Sequence, residues 1–306
     1  MIETVARTAP STHTTSGPGR FVVVNGDDFG FSPGVNRAII TAHQKGILSS
    51  ASLMVTGAGF DQAVDLARQN PGLAVGLHLV TVCGKTALPY DDVHHIANSL
   101  GQFGDNPVKA GLIYQFSRAA RRELVLEIRA QLELFRGTGL ALSHVDGHLH
   151  MHAHPVIMKI LVELAKEYGI RTIRLPREEL RTELEVDKSR LISKAAWWWI
   201  FKRLGSYQAR MLRRHGINFA DRVYGLLSSG EINERYLLEL IPKMVGNVVE
   251  LYCHPSLDVE GGDLNGPPGS GPEELKAMVS DAVREMFARY NFRVTNFNGV
   301  ADCALR

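Results

Sequence analysis

The sequence predicts an α/β protein in which parallel strands form a β/α barrel, and three observations support this fold class. Apolar runs of strand length alternate with amphipathic helical segments from about residue 21 to the C-terminus, which is typical of a parallel sheet covered by helices. Seven or eight such strands follow one another without an obvious linker, which favours a closed or nearly closed barrel. The turn after the first strand, NGDDFG, lacks the GxGxxG spacing of a dinucleotide-binding fold.

Each predicted strand is a short apolar run that ends at polar or turn-forming residues. The first, FVVVN (21–25), precedes a helix with Ser32 as N-cap, Pro33 at its first position and Gly46 at its end. Further strands are predicted at 48–55, 73–80, 140–146, 170–175, 218–226, 247–255 and 292–297. Further helices are predicted at 60–69, 117–139, 154–168, 190–214, 233–241 and 272–290. The scattered Gly, Pro and Asp of residues 81–111 predict a long loop.

Composition places the chain among ordinary globular proteins. Its 306 residues are 45% apolar and 22% charged, and the net charge of +2 gives no reason to expect a nucleic-acid partner. The three cysteines, Cys83, Cys253 and Cys303, are far apart and form no CxxC motif, which is typical of a reducing, cytoplasmic environment. Residues 1–19 are polar and have no signal-peptide core, so we expect a disordered tail before a single domain over residues 20–306. No run of about 20 apolar residues predicts a membrane span.

Polar residues with catalytic chemistry occur where four of the predicted strands end. These are the pair Asp27-Asp28, His78, the run from His144 to His154, and His254. In a β/α barrel the C-terminal ends of the strands meet at one mouth, where active sites are found. One carboxylate and two imidazoles can hold a hydrolytic divalent metal and leave positions for water and substrate. The second carboxylate of the pair is then free to act as a base.

The run SHVDGHLHMHAHP (143–155) holds five of the twelve histidines, but one metal cannot use all of them. A strand advances about 3.3 Å per residue, so the extended run would exceed roughly 30 Å. Asp146-Gly147 is a turn signal and His154-Pro155 predicts a helix start, so only Asp146 and His148 are expected at the mouth. Asp146 is a candidate to orient a histidine ligand. The outer histidines are expected to support the site or to line its rim.

Each of these features also has a purely structural interpretation. An Asp pair can cap a turn, a single histidine can belong to a core or a loop, and a histidine run can be an adventitious metal-binding surface. Their joint occurrence at four strand ends favours a functional site.

Four segments together resemble the YdjC-like carbohydrate deacetylases: VNGDDFGFSPGVNRAI, VGLHLV, SHVDGHLHMHAHP and ELYCHPS. The resemblance runs from about Phe21 to the C-terminus. Longer stretches are similar to the hopanoid-biosynthesis-associated HpnK branch, among them YGIRTIRLPRE and GLLSSGEINERYLLELI. That branch is thought to remove an acetyl group from an N-acetylglucosaminyl hopanoid.

The resemblance implies a distorted β/α barrel of the glycoside hydrolase/deacetylase type and a role for each motif residue. Asp27 would be the proton acceptor, and Asp28 and His78 would be metal ligands. In the H-x-D-x-H motif the last histidine, His148, would be the third ligand. His254 of the late HP motif would be a general acid or a substrate contact. One divalent ion is implied: the Asp/His/His set suits Zn²⁺ by softness, whereas family members have been assigned Mg²⁺.

Three alternatives remain open from the sequence. The substrate could be a soluble chitooligosaccharide such as diacetylchitobiose in place of a lipid-linked sugar. A metal-dependent phosphoesterase or amidohydrolase also uses an HxH motif, although it usually follows the first strand in those barrels. A non-catalytic binding barrel would keep the fold and could dispense with the base.

The segment 188–215 holds eight Lys/Arg, no Asp or Glu, and the block Trp197-Trp198-Trp199-Ile200-Phe201. Three consecutive Trp cannot share one helix face, so some are expected to project outward. One interpretation is a helix packed on the barrel with solvated basic residues. The other is a peripheral contact with the anionic surface of the inner membrane.

Overall fold

The computed structural model describes residues 19–257 and 269–303, with no side-chain description for 301–303. The predicted disordered tail, residues 1–19, lies outside the described residues except for Gly19. One hydrophobic core contains buried residues from Val22 to Phe292, and the single domain over 20–306 stays a prediction.

The described residues form a seven-stranded parallel sheet in the order β4-β3-β2-β1-β6-β5, with β7 paired to β1. The strands are β1 (Arg20–Phe29), β2 (Ser50–Leu53), β3 (Ala74–Leu79), β4 (Val145–Gly147), β5 (Arg222–Tyr224), β6 (Val248–Cys253) and β7 (Phe292–Thr295). Strand β1 is long enough to pair with β7 along its first half and with β2 along its second half, both on the same edge. Strand β6 pairs with the opposite edge of β1.

The sheet curls until its two ends approach each other, giving the distorted barrel that the sequence predicts. Residues 171–177 close the gap with only isolated bridges. On one side they form backbone hydrogen bonds of 3.0 Å with Val145 of β4. On the other side they bond to Asn218 and Val223, with N···O distances of 2.8 to 3.0 Å. The strand predicted at 170–175 is therefore an irregular strand between β4 and β5.

Helices cover the outside of the sheet. They are α1 (Pro33–Lys45), α2 (Phe60–Gln69), α3 (Tyr90–Val93), α4 (Pro107–Phe116), α5 (Arg118–Gly137), α6 (Pro155–Tyr168), α7 (Leu180–Val186), α8 (Leu191–Arg214), α9 (Glu234–Leu240), α10 (Ser270–Met278), α11 (Asp281–Arg289) and α12 (Phe297–Cys303). Two short 3-10 helices lie at His148–Ala153 and Ile241–Lys243. None of the helices in the described ranges combines the length and apolar character needed to cross a bilayer.

Local capping explains where several helices begin. The side chain of Ser32 accepts a hydrogen bond from the backbone N–H of Val35, and Pro33 occupies the first turn of α1. The predicted helix over 272–290 is divided because Ser280 accepts from the N–H of Val283 and starts α11 anew. The predicted loop at 81–111 contains α3 and the beginning of α4, which starts at Pro107 after an Asn106 cap.

Candidate active site

The five residues predicted for the site all lie at the C-terminal ends of parallel strands. Asp27 and Asp28 end β1, His78 is near the end of β3, His148 follows β4 directly, and His254 follows β6. Parallel strands place these ends on one face of the barrel. The ligand atoms of Asp28, His78 and His148 lie within 4.8 Å of one another, and all three residues are buried.

An irregularity in β1 places two adjacent aspartates at the same centre. Neighbouring residues of a regular strand point to opposite faces of the sheet. The pairing of β1 with β2 is irregular between Gly26 and Phe29, and Asp28 has a left-handed φ of 63°. Asp tolerates that conformation better than most residues, and bulges are frequent beside active sites. The bend explains how Asp27 and Asp28 can both be buried near His78.

A chain of hydrogen bonds connects the two imidazoles with two carboxylates. Asp28 Oδ1 lies 3.2 Å from His78 Nε2 and 3.0 Å from His148 Nδ1. On its other side, His78 Nδ1 lies 2.8 Å from Asp146 Oδ1. Burial opposes the charged forms, but Asp146 and Asp28 raise the pKa of His78 to about 10. Burial likewise opposes ionisation of Asp28, but His148 and His78 hold its pKa well below the usual range.

This arrangement fits a divalent metal ion on two structural grounds. A carboxylate that bonds to the far nitrogen of a histidine is the common way in which proteins orient a metal-binding imidazole, and Asp146 does this for His78. The second ground is the donor set. His78 Nε2 and His148 Nδ1 both face Asp28 Oδ1, at 3.2 and 3.0 Å, so a carboxylate oxygen and two imidazole nitrogens would hold one ion between them.

The sequence reasoning missed the residue at the centre of the site, Arg174. Its guanidinium holds both oxygens of Asp27 at 2.7 Å, and also contacts Asp146 at 2.8 Å and Glu250 at 2.7 Å. All four side chains are buried. The side chain of Asn25 donates a further 2.7 Å hydrogen bond to Asp27 Oδ1. Asp27 is therefore fixed in position by a bidentate ion pair and an amide.

A signal for these residues was present in the sequence. Arg174 and Glu250 are charged residues inside the apolar strands IRTIRL and VVELYC. Charges within apolar strands are almost always paired when buried, so an Arg and a Glu in two predicted strands indicate an internal ion pair. Burial raises the pKa of Glu250 to about 7, although Arg174 acts in the opposite direction.

His254 is half-buried at the rim of this centre. Its backbone N–H donates to Glu274 Oε2 at 2.5 Å, which holds the turn after β6. The ring stands perpendicular to that of Tyr252, with centroids 5.6 Å apart, and its buried Nδ1 has no partner among the described residues. Burial lowers the pKa of His254, and the charges of Asp28 and Asp27 act in the opposite direction.

The remaining histidines of the run have separate structural positions. His144 is a core residue: its ring bonds to Ser52 at 3.0 Å, and burial lowers its pKa to about 3. His152 bonds to the carbonyl of Arg174, and His154 caps α6. His150 has a left-handed φ of 56° and bonds to the hydroxyl of Tyr252 at 2.9 Å.

Comparison with known proteins shows relatives over most of the chain. A carbohydrate deacetylase of Vibrio parahaemolyticus is 29% identical over 282 residues, which cover 92% of this chain and 96% of that protein. Carbohydrate deacetylases of Brevibacillus brevis and Geobacillus stearothermophilus are 41% and 38% identical, but the alignments span only 64% and 61% of their lengths.

A crystal structure from Enterococcus faecalis shows the same fold. It superposes with a TM-score of 0.71 and 22% identity over 92% of this chain and 99% of that one, and the protein is named for a proposed role in cellobiose-phosphate cleavage. Residues 21–289 match the family described as YdjC-like protein, so this chain belongs to the YdjC-like family.

Proposed function

We propose that this protein removes the acetyl group from an N-acetylglucosaminyl substrate by hydrolysis. The observation that carries the proposal is the buried Asp28–His78–His148 cluster beside Asp27, at the mouth of a deacetylase-like barrel. Relatives of similar length are named carbohydrate deacetylases, which indicates the class of substrate.

Asp28, His78 and His148 would hold one divalent ion, either Mg²⁺ or Zn²⁺. Bound there, such an ion would polarise the acetyl carbonyl and lower the pKa of a water molecule. The two imidazoles favour Zn²⁺ because they are softer donors than carboxylates and water, which Mg²⁺ prefers.

Asp27 is the proposed base. Asp27 Oδ1 already accepts two hydrogen bonds, from Arg174 and Asn25, whereas Oδ2 accepts one, from Arg174. A carboxylate oxygen has about two acceptor positions, so Oδ2 retains one for the proton of the attacking water. Because Arg174 and Asn25 fix the carboxylate, its position costs no reorganisation during the reaction.

His254 is the proposed acid. An amine leaves an amide carbon poorly unless it is protonated, and the half-buried ring of His254 at the rim would supply that proton. The partnerless Nδ1 leaves one ring nitrogen available on the buried side.

The proposed substrate of the reaction is a lipid-linked sugar, as in the hopanoid-associated branch. Helix α8 exposes Ile192, Trp197, Trp199 and Ile200, with relative exposures of 86%, 49%, 58% and 39%. Exposed apolar side chains of this size on a helix without acidic residues suit the surface of an anionic bilayer. Each basic residue near such a surface contributes about 1 kcal/mol of attraction.

Mass spectrometry tests the reaction and the identity of the substrate together. Purified protein is incubated with acetylglucosaminyl hopanoid and with diacetylchitobiose, with added Zn²⁺ or Mg²⁺ and with chelator. We expect loss of one acetyl group from the hopanoid, no loss with chelator, and little loss with Asp27→Asn. Faster deacetylation of diacetylchitobiose would favour the soluble substrate, and intact substrates under every metal condition would contradict the proposal.

Liposome co-sedimentation tests the membrane contact separately. Wild type should sediment with anionic vesicles at low salt and less so at high salt, since the attraction is partly electrostatic. Trp197→Ala/Trp199→Ala should stay in the supernatant. A matched control, Leu126→Ala/Leu134→Ala, removes two exposed leucines of α5 and should bind as wild type does. Equal binding by both double variants would contradict the α8 contact.

A further inference from the structure

A cavity lies near the candidate active site, between α8 and the ends of two strands. It measures about 210 Å³ and lies against Arg177 and Glu178 at the end of the irregular strand and Leu226 and Leu227 beyond β5. Pockets that hold a whole drug-sized ligand measure about 300–1,000 Å³. This cavity therefore suits one substituent of a larger ligand.

The cavity is rich in positive charge. Arg177, Lys202 and Arg222 line it, and of these Arg222 is paired with Glu179 at 2.6 Å. Within residues 19–257 and 269–303, Arg177 and Lys202 form no salt bridge and no side-chain hydrogen bond. Partial burial, and then Arg222 and Arg213, lower the pKa of the Arg177 guanidinium, whereas Glu179 and Asp221 act in the opposite direction.

The one other carboxyl group at the cavity does not offset these charges. Glu178 is buried, and burial together with Glu183 raises its pKa to about 8. Burial therefore favours its neutral form, and it accepts a 2.9 Å hydrogen bond from the backbone of Leu227. In the described part of the chain, Arg177 and Lys202 thus remain without an ion-pair partner, although the charges of Glu179 and Asp221 act on Arg177 from a distance.

The position of Arg177 is built into the fold. Gly205 of α8 is buried against it, and a Cβ atom at that glycine would lie 3.0 Å from Arg177 Cγ. The absence of a side chain at Gly205 lets the arginine lie close across the helix. Lys202 is held over the ring of Trp198, with its Nζ 4.3 Å from the ring centroid.

One layer of aromatic side chains connects this cavity with the catalytic centre. Phe201 lines the cavity, and its ring meets that of His150 edge-on with centroids 6.0 Å apart. His150 bonds to Tyr252, which also contacts His254. The cavity and the catalytic centre are therefore neighbours, separated by this one layer of side chains.

We propose that the pocket formed by Arg177, Lys202 and Arg222 binds a phosphate group. Two unpaired cations balance a dianion, and the planar fork of arginine matches phosphate oxygens. The phosphate belongs either to a phosphorylated part of the sugar substrate or to a lipid headgroup beneath α8. The sugar assignment rests on the proposed deacetylase function, whereas phosphate binding itself does not.

Calorimetry with inorganic phosphate tests the pocket directly. Wild type should bind one phosphate, and Arg177→Gln/Lys202→Gln should bind at least about tenfold more weakly, because hydrogen bonds to charged groups are lost. Lys202→Gln alone changes an exposed side chain and should show an intermediate loss with an unchanged melting temperature. The control Lys159→Gln/Arg181→Gln removes two exposed cations of α6 and α7 and should bind as wild type does.

Two further arms identify the source of the phosphate. In the first, a disaccharide of N-acetylglucosamine is compared with its phosphate ester. The ester carries its phosphate on the sugar that is not deacetylated. A KM at least about tenfold lower for the ester in wild type, but not in the double variant, assigns a substrate phosphate. In the second, binding to phosphatidic acid vesicles is compared between wild type, the double variant and the control. A lipid headgroup is assigned if only the double variant loses vesicle binding and the two disaccharides have the same KM.

The outcomes separate this proposal from the proposed function. Equal phosphate affinity of wild type and the double variant, or no binding by either, overturns the pocket while deacetylation of the unphosphorylated disaccharide still stands. Phosphate binding that depends on Arg177 and Lys202 in a protein without deacetylase activity supports the pocket and contradicts the proposed function.

Discussion

Replacing Arg174 by methionine removes the charge that holds three buried carboxylates, and we expect a large loss of stability. Arg174 forms contacts of 2.7 to 2.8 Å with Asp27, Asp146 and Glu250. Removing one partner of a buried ion pair costs about 3–5 kcal/mol, because the other charge stays buried without compensation. At about 2 °C per kcal/mol for a large domain, the melting temperature should fall by roughly 6–10 °C. Methionine keeps most of the length of the side chain, so the effect reports mainly on charge.

The same substitution should reduce turnover, because Asp27 loses the bidentate contact that fixes it. A misplaced catalytic group can cost about 10²-fold in rate. Thermal unfolding and steady-state deacetylation of the same preparation measure the two effects. The control Arg129→Met breaks an exposed pair with Glu167 and should change neither, since such pairs often contribute nothing measurable.

A double variant decides whether the effect comes from charge. In Arg174→Met/Glu250→Gln one of the carboxylates is neutralised as well, so part of the lost stability should return, by about 0.5–3 kcal/mol. A melting temperature of Arg174→Met within about 2 °C of wild type, together with normal turnover, would refute the reasoning.

The other predictions concern the ligands, the base and one buried acid. Asp28→Ala, His78→Ala and His148→Ala should each lose metal and activity together. His144→Ala should largely keep both. Elemental analysis measures this, and metal loss in His144→Ala with retention in His148→Ala would reverse the assignment. Asp27→Asn should keep its metal but lose about 10²–10⁴-fold in turnover, so a drop of less than about tenfold would exclude Asp27 as the base. The pKa of Glu178 is raised from 4.5 to about 8, so the folded protein keeps a proton that the unfolded chain releases, and stability falls as pH rises through this range. Glu178→Gln should therefore melt near wild type at pH 5 but above it at pH 8, and a pH-independent difference would contradict this.

The sequence was sufficient for the fold and for the strand ends, because both depend on local patterns. Alternating apolar runs predicted the parallel barrel, and Ser32 and Pro33 marked α1 correctly. The irregular strand at 171–177 could not be distinguished from a regular one, because its apolar run IRTIRL is typical of a buried strand. Its irregular pairing is a property of how the barrel closes, which local residue patterns do not encode.

The interior contacts were harder to predict, because they join residues far apart in the chain. Asp27 and Arg174 are separated by 147 positions and His148 and Asp28 by 120. The strand pattern predicted that such residues meet at one face, but not that one arginine contacts three carboxylates. The sequence also offered no reason to separate His144 from His148 except the turn at Asp146-Gly147 and the family motif.

The structure gives that separation a physical basis. A Cβ atom at Gly76 would lie 2.3 Å from His144 Nδ1, so the ring of His144 fills the space that the glycine of β3 leaves. There it bonds to Ser143 and Ser52 and stacks on Phe297 with centroids 3.9 Å apart. Both of its ring nitrogens are therefore occupied in the core, whereas Nδ1 of His148 faces the same Asp28 oxygen as His78 does.

The charge balance of the buried centre points to a further cation there. Among the described residues at the centre, Asp27, Asp28, Asp146 and Glu250 are buried acids, and Arg174 is the permanent cation beside them. The raised pKa of His78 reflects this imbalance, since a proton on that ring supplies a second positive charge between Asp28 and Asp146. Metal ligation requires a neutral imidazole, so an ion held by Asp28, His78 and His148 would replace that proton and bring two positive charges in its place. The same excess of carboxylates that opposes loss of the proton would therefore stabilise a divalent cation at this site.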